Sequence, residues 1–412
     1  MRVFFKTFGC RTNIYDSELM KSYFSSSQIC ENEDDADFVV VNSCTVTNGA
    51  DKDTKNYINH ARNIGKKVIL AGCGVQNNAI NLYENNSVFG VFGAQNKSNL
   101  VNLISSNERF FDLGDINHKE NATLSSYSKH SKAFIKIQEG CDFSCSYCII
   151  PKVRGKSRSL DENLIINQAN LLAQNGFSEI VLTGTNIGSY GKDTNSNLGI
   201  LLQKLGKIDK IKRIRLGSIE PSQIDDSFRE ILGEAWLERH LHIALQHTSQ
   251  KMLNIMRRRN KAFKDIELFC ELSDLGFALG SDFIVGHPGE SEQIWEEAVE
   301  NFKKFPLTHL HCFVYSPRKD TISANLDNKI DPKIAKDRLK MLKNIVSINN
   351  FKFRQKQSNL EVLVESKGKD GLYSGFDQYY NKIKIQTNEN LHKKWVNLQK
   401  YEVKFDENYA EI

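Results

Sequence analysis

The sequence predicts an α/β protein in three parts: an amino-terminal parallel α/β domain, a partial (β/α)6 barrel, and a small carboxyl-terminal antiparallel β domain. Three observations predict it. Apolar strand patterns alternate with helical stretches over residues 1–107; six more strand patterns with helical stretches between them run through residues 133–358; period-two alternation then occupies 359–412. With 412 residues, 40% hydrophobic and 25% charged, the chain is long enough to bury a core in each part.

In the first part, Val3 to Phe8 reads as a buried strand, followed by Gly9-Cys10 and a helical stretch over roughly 15–27. Asp37 to Asn42 and Lys67 to Ala71 repeat the strand pattern, with a second helical stretch at 50–64 between them. Each strand is followed by a cysteine: Cys10, Cys44 and Cys73. The carboxyl ends of parallel strands share one edge, where ligands bind, so the three thiols are expected to converge there. Gly9, Gly72 and Gly74 are small enough to let backbone amides approach a bound cluster. Buried cysteines behaving as small hydrophobes are the alternative, and the recurrence after three strands weighs against it. Residues 108–132 are polar with little apolar period and read as a linker.

The barrel strands are expected at Ala133–Ile137, Glu179–Thr183, Arg213–Leu216, Leu241–Leu245, Ser281–Val285 and His309–Val314. Active residues of such barrels sit at the carboxyl ends of strands. Thr183-Gly184-Thr185-Asn186, Ser218-Ile219-Glu220, Gln246-His247 and Gly286-His287-Pro288-Gly289 should therefore share a mouth with the loop after the first strand. That loop, Glu139 to Pro151, carries Cys141, Cys145 and Cys148 at spacings of four and three. A structural zinc or a complete iron-sulfur cluster takes four ligands, and no fourth Cys or His lies nearby. Three thiolates on a four-iron cubane leave one iron open to a substrate or cofactor; a zinc loop completed by a distant ligand is the bland alternative.

Nine cysteines is an odd number, and the start, Met1 to Lys6, breaks its apolar run with a lysine. Neither a disulfide framework nor export is expected, and no stretch approaches a membrane span. A reducing, cytoplasmic setting fits. The net charge is +5, and its distribution says more than its sum. Residues 251–264 hold Lys251, Arg257, Arg258, Arg259, Lys261 and Lys264 with no acidic residue, and residues 329–357 carry nine basic against two acidic side chains. Both stretches suit a polyanion or a merely solvated face. The second also has apolar spacing at Leu339, Leu342, Ile345 and Ile348, an amphipathic helix leading out of the barrel.

Cys30 fits no motif, and Cys270 and Cys312 read as core residues. His240, His242, His247, His309 and His311 read as solvated or core histidines, because no carboxylate-rich ligand set accompanies them in sequence. In the last part, 360–365, 382–385 and 401–405 read as strands. Tyr373, Phe376, Tyr379 and Tyr380 are available either to stack on unpaired bases or to fill a small core.

The Cys141, Cys145 and Cys148 spacing, with Tyr147 before the last thiol, resembles the signature of the radical S-adenosylmethionine (SAM) superfamily. Gly9-Cys10-Arg11-Thr12-Asn13, Asn42-Ser43-Cys44-Thr45-Val46-Thr47 and Ala71-Gly72-Cys73 resemble the amino-terminal domain of its methylthiotransferases. Val41 to Asp51 is most similar to the branch acting on threonylcarbamoyladenosine in tRNA; Gly74-Val75-Gln76 departs from the family's usual Tyr-Ala-Gln.

The resemblance implies a radical SAM barrel, an RNA-binding TRAM-like domain at 359–412, and two 4Fe-4S clusters, on Cys141/Cys145/Cys148 and on Cys10/Cys44/Cys73. It implies SAM as radical source and methyl donor, with Gly184, Thr185, Asn186 and Glu220 lining its pocket. Glu220 is equally suited to an ion pair with a neighbouring arginine. The implied partners are the tRNA anticodon loop and an electron donor such as flavodoxin or ferredoxin. Radical chemistry suits a carbon-bound hydrogen that no ordinary general base removes. Competing substrates are isopentenyladenosine in tRNA and a ribosomal-protein aspartate. Competing classes are a two-cluster electron carrier and a zinc-stabilised RNA-binding module.

Overall fold

The computed structural model describes residues 1–93, 97–127 and 130–412. Its first sheet contains, among the described residues, five parallel strands in sequential order: β1 (Val3–Thr7), β2 (Phe38–Ser43), β3 (Lys67–Gly72), β4 (Gly90–Phe92) and β5 (Phe110–Asp112). Helices α1 (Arg11–Ser22), α2 (Asn48–Asn63), α3 (Val75–Glu84) and α4 (Asn99–Ser105) cover it. Every residue of β2 is buried because the sheet is covered on both faces. Phe38 and Val40 pack with Met20 of α1 and Leu100 of α4, while Val39 and Val41 pack with Ile58 of α2 and Ala79 of α3.

The strands β4 and β5 have three residues each, too few to give a periodic signal. The latter lies inside the stretch expected to be a linker, so the sheet extends beyond residue 107. Farther along that stretch Leu124 and Tyr127 are buried in the barrel core, and residues 128–129 lie outside the described ones. The hydrophobic side of this segment is a sparse set of single residues, which is why it read as polar.

All six expected barrel strands form: β6 (Ala133–Glu139), β8 (Glu179–Gly184), β9 (Arg213–Leu216), β10 (His240–His242), β11 (Ala278–Val285) and β12 (Leu307–Val314), with β7 (Arg158–Ser159) antiparallel on the β6 edge. Parallel pairing runs β6-β8-β9 and β10-β11-β12, and isolated bridges Ile214 to Leu237 and Ile219 to Ile243 join the halves. The fourth strand starts one residue before its expected position and ends three before it. Alternate apolar residues such as Ile135, Ile180, Leu182, Ile214, Leu241 and Leu279 form one core with the surrounding helices. Tyr15 and Leu19 of α1 belong to this core, so the first helix serves two domains.

The expected amphipathic helix spans Pro332–Gln355 and lies against β11 and β12. Leu342 and Val346 are buried, Leu339 and Ile345 partly so, and Ile348 is exposed. The last domain pairs β13 (Leu360–Lys367), β14 (Tyr373–Phe376), β15 (Lys382–Gln386), β16 (Trp395–Leu398), β17 (Glu402–Val403) and β18 (Asn408–Glu411) in the order β16-β13-β14-β15-β18-β17. The sheet is antiparallel except at β15 and β18.

Its aromatic residues are used for packing. Tyr373 is buried in the small core, and Tyr379 packs edge-on against Phe353. Tyr380 stacks between Phe376 and His240 of β10, with centroids 4.8 and 5.3 Å away, and its hydroxyl accepts from Arg11 at 2.9 Å. The guanidinium groups of Arg11 and Arg215 lie 5.5 and 5.1 Å from its ring. All three domains meet at this side chain.

Tyr380 has φ +64°, a left-handed conformation costing a tyrosine roughly 1 kcal/mol, which its ring contacts offset. Tyr380→Ala keeps the strained backbone and loses the ring. Urea unfolding should show a loss of about 2–4 kcal/mol, with proteolysis enhanced at the junction near residue 357; an unchanged midpoint would contradict this docking role.

Candidate active site

The loop after β6 is held by its own backbone and by segments across the barrel mouth. Cys141 N–H donates to the Gly155 carbonyl at 3.1 Å and Cys148 N–H to that of Cys145 at 3.1 Å. Ser146 N–H donates to Met256 O at 3.0 Å, its hydroxyl donates to Ile255 O at 2.9 Å, and its carbonyl accepts from Ser323 N–H at 2.8 Å. Tyr147 packs edge-on against His287, whose Nε2 is 2.7 Å from Ser323 Oγ.

Two side chains donate toward the thiols: Asn186 Nδ2 lies 3.6 Å from Cys141 Sγ, and Arg258 Nη1 lies 3.7 Å from Cys145 Sγ. Burial pushes the Cys148 thiol up to about 12 and raises that of Cys141. Such thiols are protonated near neutral pH, so iron uptake must displace protons. Three thiols held by one loop, with N–H donors aimed at two of the sulfurs, fit an iron-sulfur cluster with an open iron.

The expected SAM-pocket residues surround this loop. Thr185 Oγ1 accepts from Gly140 N–H at 3.3 Å, and Asn186 N–H donates to Gln138 Oε1 at 2.7 Å. Gly184 makes room for the chain itself, since an added Cβ would lie 2.7 Å from the Gln138 carbonyl oxygen. Glu220 accepts from Ser222 N–H at 3.0 Å through Oε2, while Oε1 lies 3.4 Å from Arg258 Nη2. Both carboxylate oxygens are therefore engaged, and Glu220 makes the ion pair with a neighbouring arginine, Arg258, while each oxygen keeps capacity to accept a further hydrogen bond.

Cys10, Cys44 and Cys73 follow β1, β2 and β3 at one sheet edge. Cys10 occupies the position just before α1, and Cys73 N–H donates to Ser43 O at 3.0 Å. Gly9 has φ +97°, and an added Cβ would lie 2.7 Å from Cys44 Cβ, so a larger residue would force the first two strand ends apart. Burial pushes Cys73 up to about 11 and raises Cys44, and like charge from Cys10 adds to both shifts.

A short helix links the two triads. α5 (Ile150–Arg154) begins two residues after Cys148, and its Ile150 and Val153 pack with Cys73. Its last residue, Arg154, donates through Nε to Cys73 Sγ at 3.0 Å. With five residues, α5 is only about 8 Å long. Arg154 Nη1 also reaches Asp16 at 2.8 Å and Glu139 at 2.6 Å, and Nη2 donates to Asn13 Oδ1 at 2.6 Å. Lys136 completes the buried network at 2.8 Å from Asp16 and 3.2 Å from Glu139. Burial alone raises Glu139, but Lys136 and Arg154 outweigh it and bring the carboxyl down to about 2. Asp16 follows the same balance and falls well below the carboxylate range.

Sequence reasoning missed this network, whose members are up to 141 residues apart. The available signal was Lys136 inside an otherwise apolar strand. The basic run also divides: Arg257 and Arg259 are exposed, whereas the Arg258 side chain is buried beside Cys145 and Glu220. Cys30 and Cys312 are buried, but Cys270 is exposed on its helix, not in a core.

A three-thiol loop at the mouth of a partial (β/α)6 barrel defines a radical SAM enzyme, and residues 135–302 match the Radical SAM superfamily. That match implies a 4Fe-4S cluster and SAM. Residues 2–93 match the uncharacterized protein family UPF0004. A provisionally named methylthiotransferase of Helicobacter pylori is 45% identical over 99% of both chains. The threonylcarbamoyladenosine tRNA methylthiotransferase MtaB of Aquifex aeolicus is 35% identical over 88% of this chain and 92% of its own. The chain belongs to the methylthiotransferase family. The solved radical SAM methyltransferase TsrM from Kitasatospora setae shares the fold, with TM-score 0.59 and 14% identity over 77% of each chain. No helix among the described residues is long and apolar enough to cross a membrane.

Arg154→Met leaves the buried Asp16 and Glu139 carboxylates with Lys136 as a shared cation and is expected to cost about 3–5 kcal/mol in urea unfolding of the metal-free chain, with Glu139→Gln in addition recovering part of the loss. Because the folded Glu139 carboxyl lies below its ordinary 4.5, its stabilisation is present above that pH and lost as pH falls toward about 2. The urea midpoint should therefore decline through that window, and Glu139→Gln should make the decline shallower; matching slopes would rule out the assigned role of Glu139.

Proposed function

We propose that the enzyme places a methylthio group on carbon 2 of threonylcarbamoyladenosine beside the tRNA anticodon, using SAM and two 4Fe-4S clusters. The observation that carries this reading is the α5 link, which holds Cys73 against the helix leading directly from Cys148. A radical centre and a sulfur source must both reach one carbon, and a helix of about 8 Å suits that need better than two independent domains would. Relatives named MtaB, including those of Aquifex aeolicus and Bacillus subtilis, support the substrate.

Cys141, Cys145 and Cys148 hold one cluster, leaving an iron open, and Cys10, Cys44 and Cys73 hold the other. When bound, SAM at the open iron supplies the hydrogen-abstracting radical, a second SAM the methyl group, and the second cluster the sulfur. Asn186 and Arg258 direct N–H groups at the sulfurs of the first triad, and Arg154 directs one at Cys73, stabilising thiolate charge. Tyr147, half-buried and edge-on against His287, helps exclude water from the barrel mouth.

The tRNA meets the exposed lysines 333, 336, 340 and 343, which lie along one helix at spacings of three and four. An unpaired anticodon-loop base enters the barrel with little unstacking energy. The terminal domain adds RNA contacts as a TRAM-like module, electrons come from a flavodoxin or ferredoxin, and the setting is the cytoplasm. A relative named tRNA-2-methylthio-N(6)-dimethylallyladenosine synthase, from Thermosipho melanesiensis at 32% identity, favours a second reading with an isopentenyl-type substrate.

The test is anaerobic turnover with SAM on tRNAs bearing either modification, read by nucleoside mass spectrometry. Methylthio product is expected on the threonylcarbamoyl substrate. Cys141→Ala should abolish SAM cleavage, whereas Cys10→Ala should preserve cleavage and eliminate product. Preference for the isopentenyl tRNA would transfer the assignment to the second reading, and product from Cys10→Ala at the parental level would remove the second-cluster role.

A further inference from the structure

The open side of the barrel carries a side-chain cluster that the cysteine chemistry does not use. Strands β10, β11 and β12 align His242 with Gly280, Gly280 with His309, and Asp282 with His311. Alternate residues of neighbouring strands share a face, so four imidazoles and one carboxylate gather around Gly280. An added Cβ there would lie 2.7 Å from His242 Nδ1 and 2.9 Å from His240 Nε2. A side chain at 280 would therefore disperse the cluster.

Within it, His242 Nε2 lies 3.1 Å from Asp282 Oδ1, and His311 Nδ1 lies 3.4 Å from that same oxygen. All three atoms fall within 4.8 Å of one another. Two ligands about 2.1 Å from one ion are separated by roughly 3.0 Å at a right angle and roughly 3.4 Å at the tetrahedral angle. The two histidine-to-carboxylate separations, 3.1 and 3.4 Å, fall within that range. His242 is buried, with its side chain 9% exposed, yet its Nε2 has no hydrogen-bond partner despite the nearby carboxylate. Its nitrogen and the oxygen are thus close without being aligned for a hydrogen bond, as ligands converging on a third atom are.

We propose that His242, Asp282 and His311 bind a divalent transition-metal ion of the Zn2+ or Fe2+ class. Two imidazoles and a carboxylate form a donor set suited to such ions. His311 is 65% exposed, so the site opens to solvent and leaves positions for water or a substrate oxygen. It lies close to the mouth: His242 is two residues, roughly 7 Å, before Ala244 on the strand path, and the Ala244 carbonyl accepts from Arg258 at 2.6 Å. His240 stacks on Tyr380 and stays outside the ligand set.

The test uses the full-length, cluster-loaded chain, freed of loosely held metal and dialysed against Zn2+ alone. Zinc and iron are counted by mass spectrometry, and zinc coordination is read by X-ray absorption. The parent should hold about one more zinc than His311→Gln or Asp282→Asn, with nitrogen and oxygen ligands and unchanged iron, and each variant should bind at least about tenfold more weakly. The exposed position of His311 makes its replacement compatible with folding. Equal zinc in parent and variants, a parent that takes up none, or zinc bound by sulfur alone would overturn the site.

Discussion

One guanidinium ties the amino-terminal sheet to the barrel at the point where the two thiol sets approach each other. Arg154 reaches Cys73, Asp16, Glu139 and Asn13 from three different nitrogens. A lysine has one nitrogen on a flexible stem and does not match this planar fork. The partners in turn fix the geometry: Asp16 and Asn13 lie on α1 just after Cys10, and Glu139 ends the strand leading into the Cys141 loop. Moving any of them would shift both thiol sets.

Burying so many charges is expensive, and a well-packed apolar cluster of equal volume would often be at least as stable. What the ionic network adds is direction. Apolar contacts tolerate sliding, whereas Arg154 engages its partners in a restricted geometry. Glu220 and Arg258 repeat this arrangement on a smaller scale beside Cys145. Each thiol set thus has an arginine near one sulfur, and each arginine is also paired with at least one carboxylate.

Much of the architecture was legible because it is written in local patterns. Three valines in a row at β2, the recurrence of Cys after a strand, and six strand-helix alternations all survive without tertiary information. The short strands β4 and β5 carry no such pattern, and pairing with β3 and with each other defines them. For the site, cysteine spacing was visible, while the residues that polarise the thiols were not. Arg258 looked like one member of a basic run, and only the fold turns it inward between two exposed neighbours. The histidines have no carboxylate beside them in sequence; Asp282 supplies it from an adjacent strand, aligned with His311. Likewise Tyr380 offered a stacking surface in sequence, but the assembled chain uses it as a joint.

The division of α1 between two cores has a consequence for modularity. Met20 faces the first sheet, whereas Tyr15 and Leu19 complete the barrel core. A barrel severed from the preceding domain would expose an apolar notch and leave Lys136 without Asp16. During synthesis the helix emerges well before the strands that receive it, so half of its apolar surface must wait uncovered for the barrel. Recombination that exchanged the amino-terminal domain between relatives at the apparent sequence boundary would therefore have to carry matching barrel residues with it.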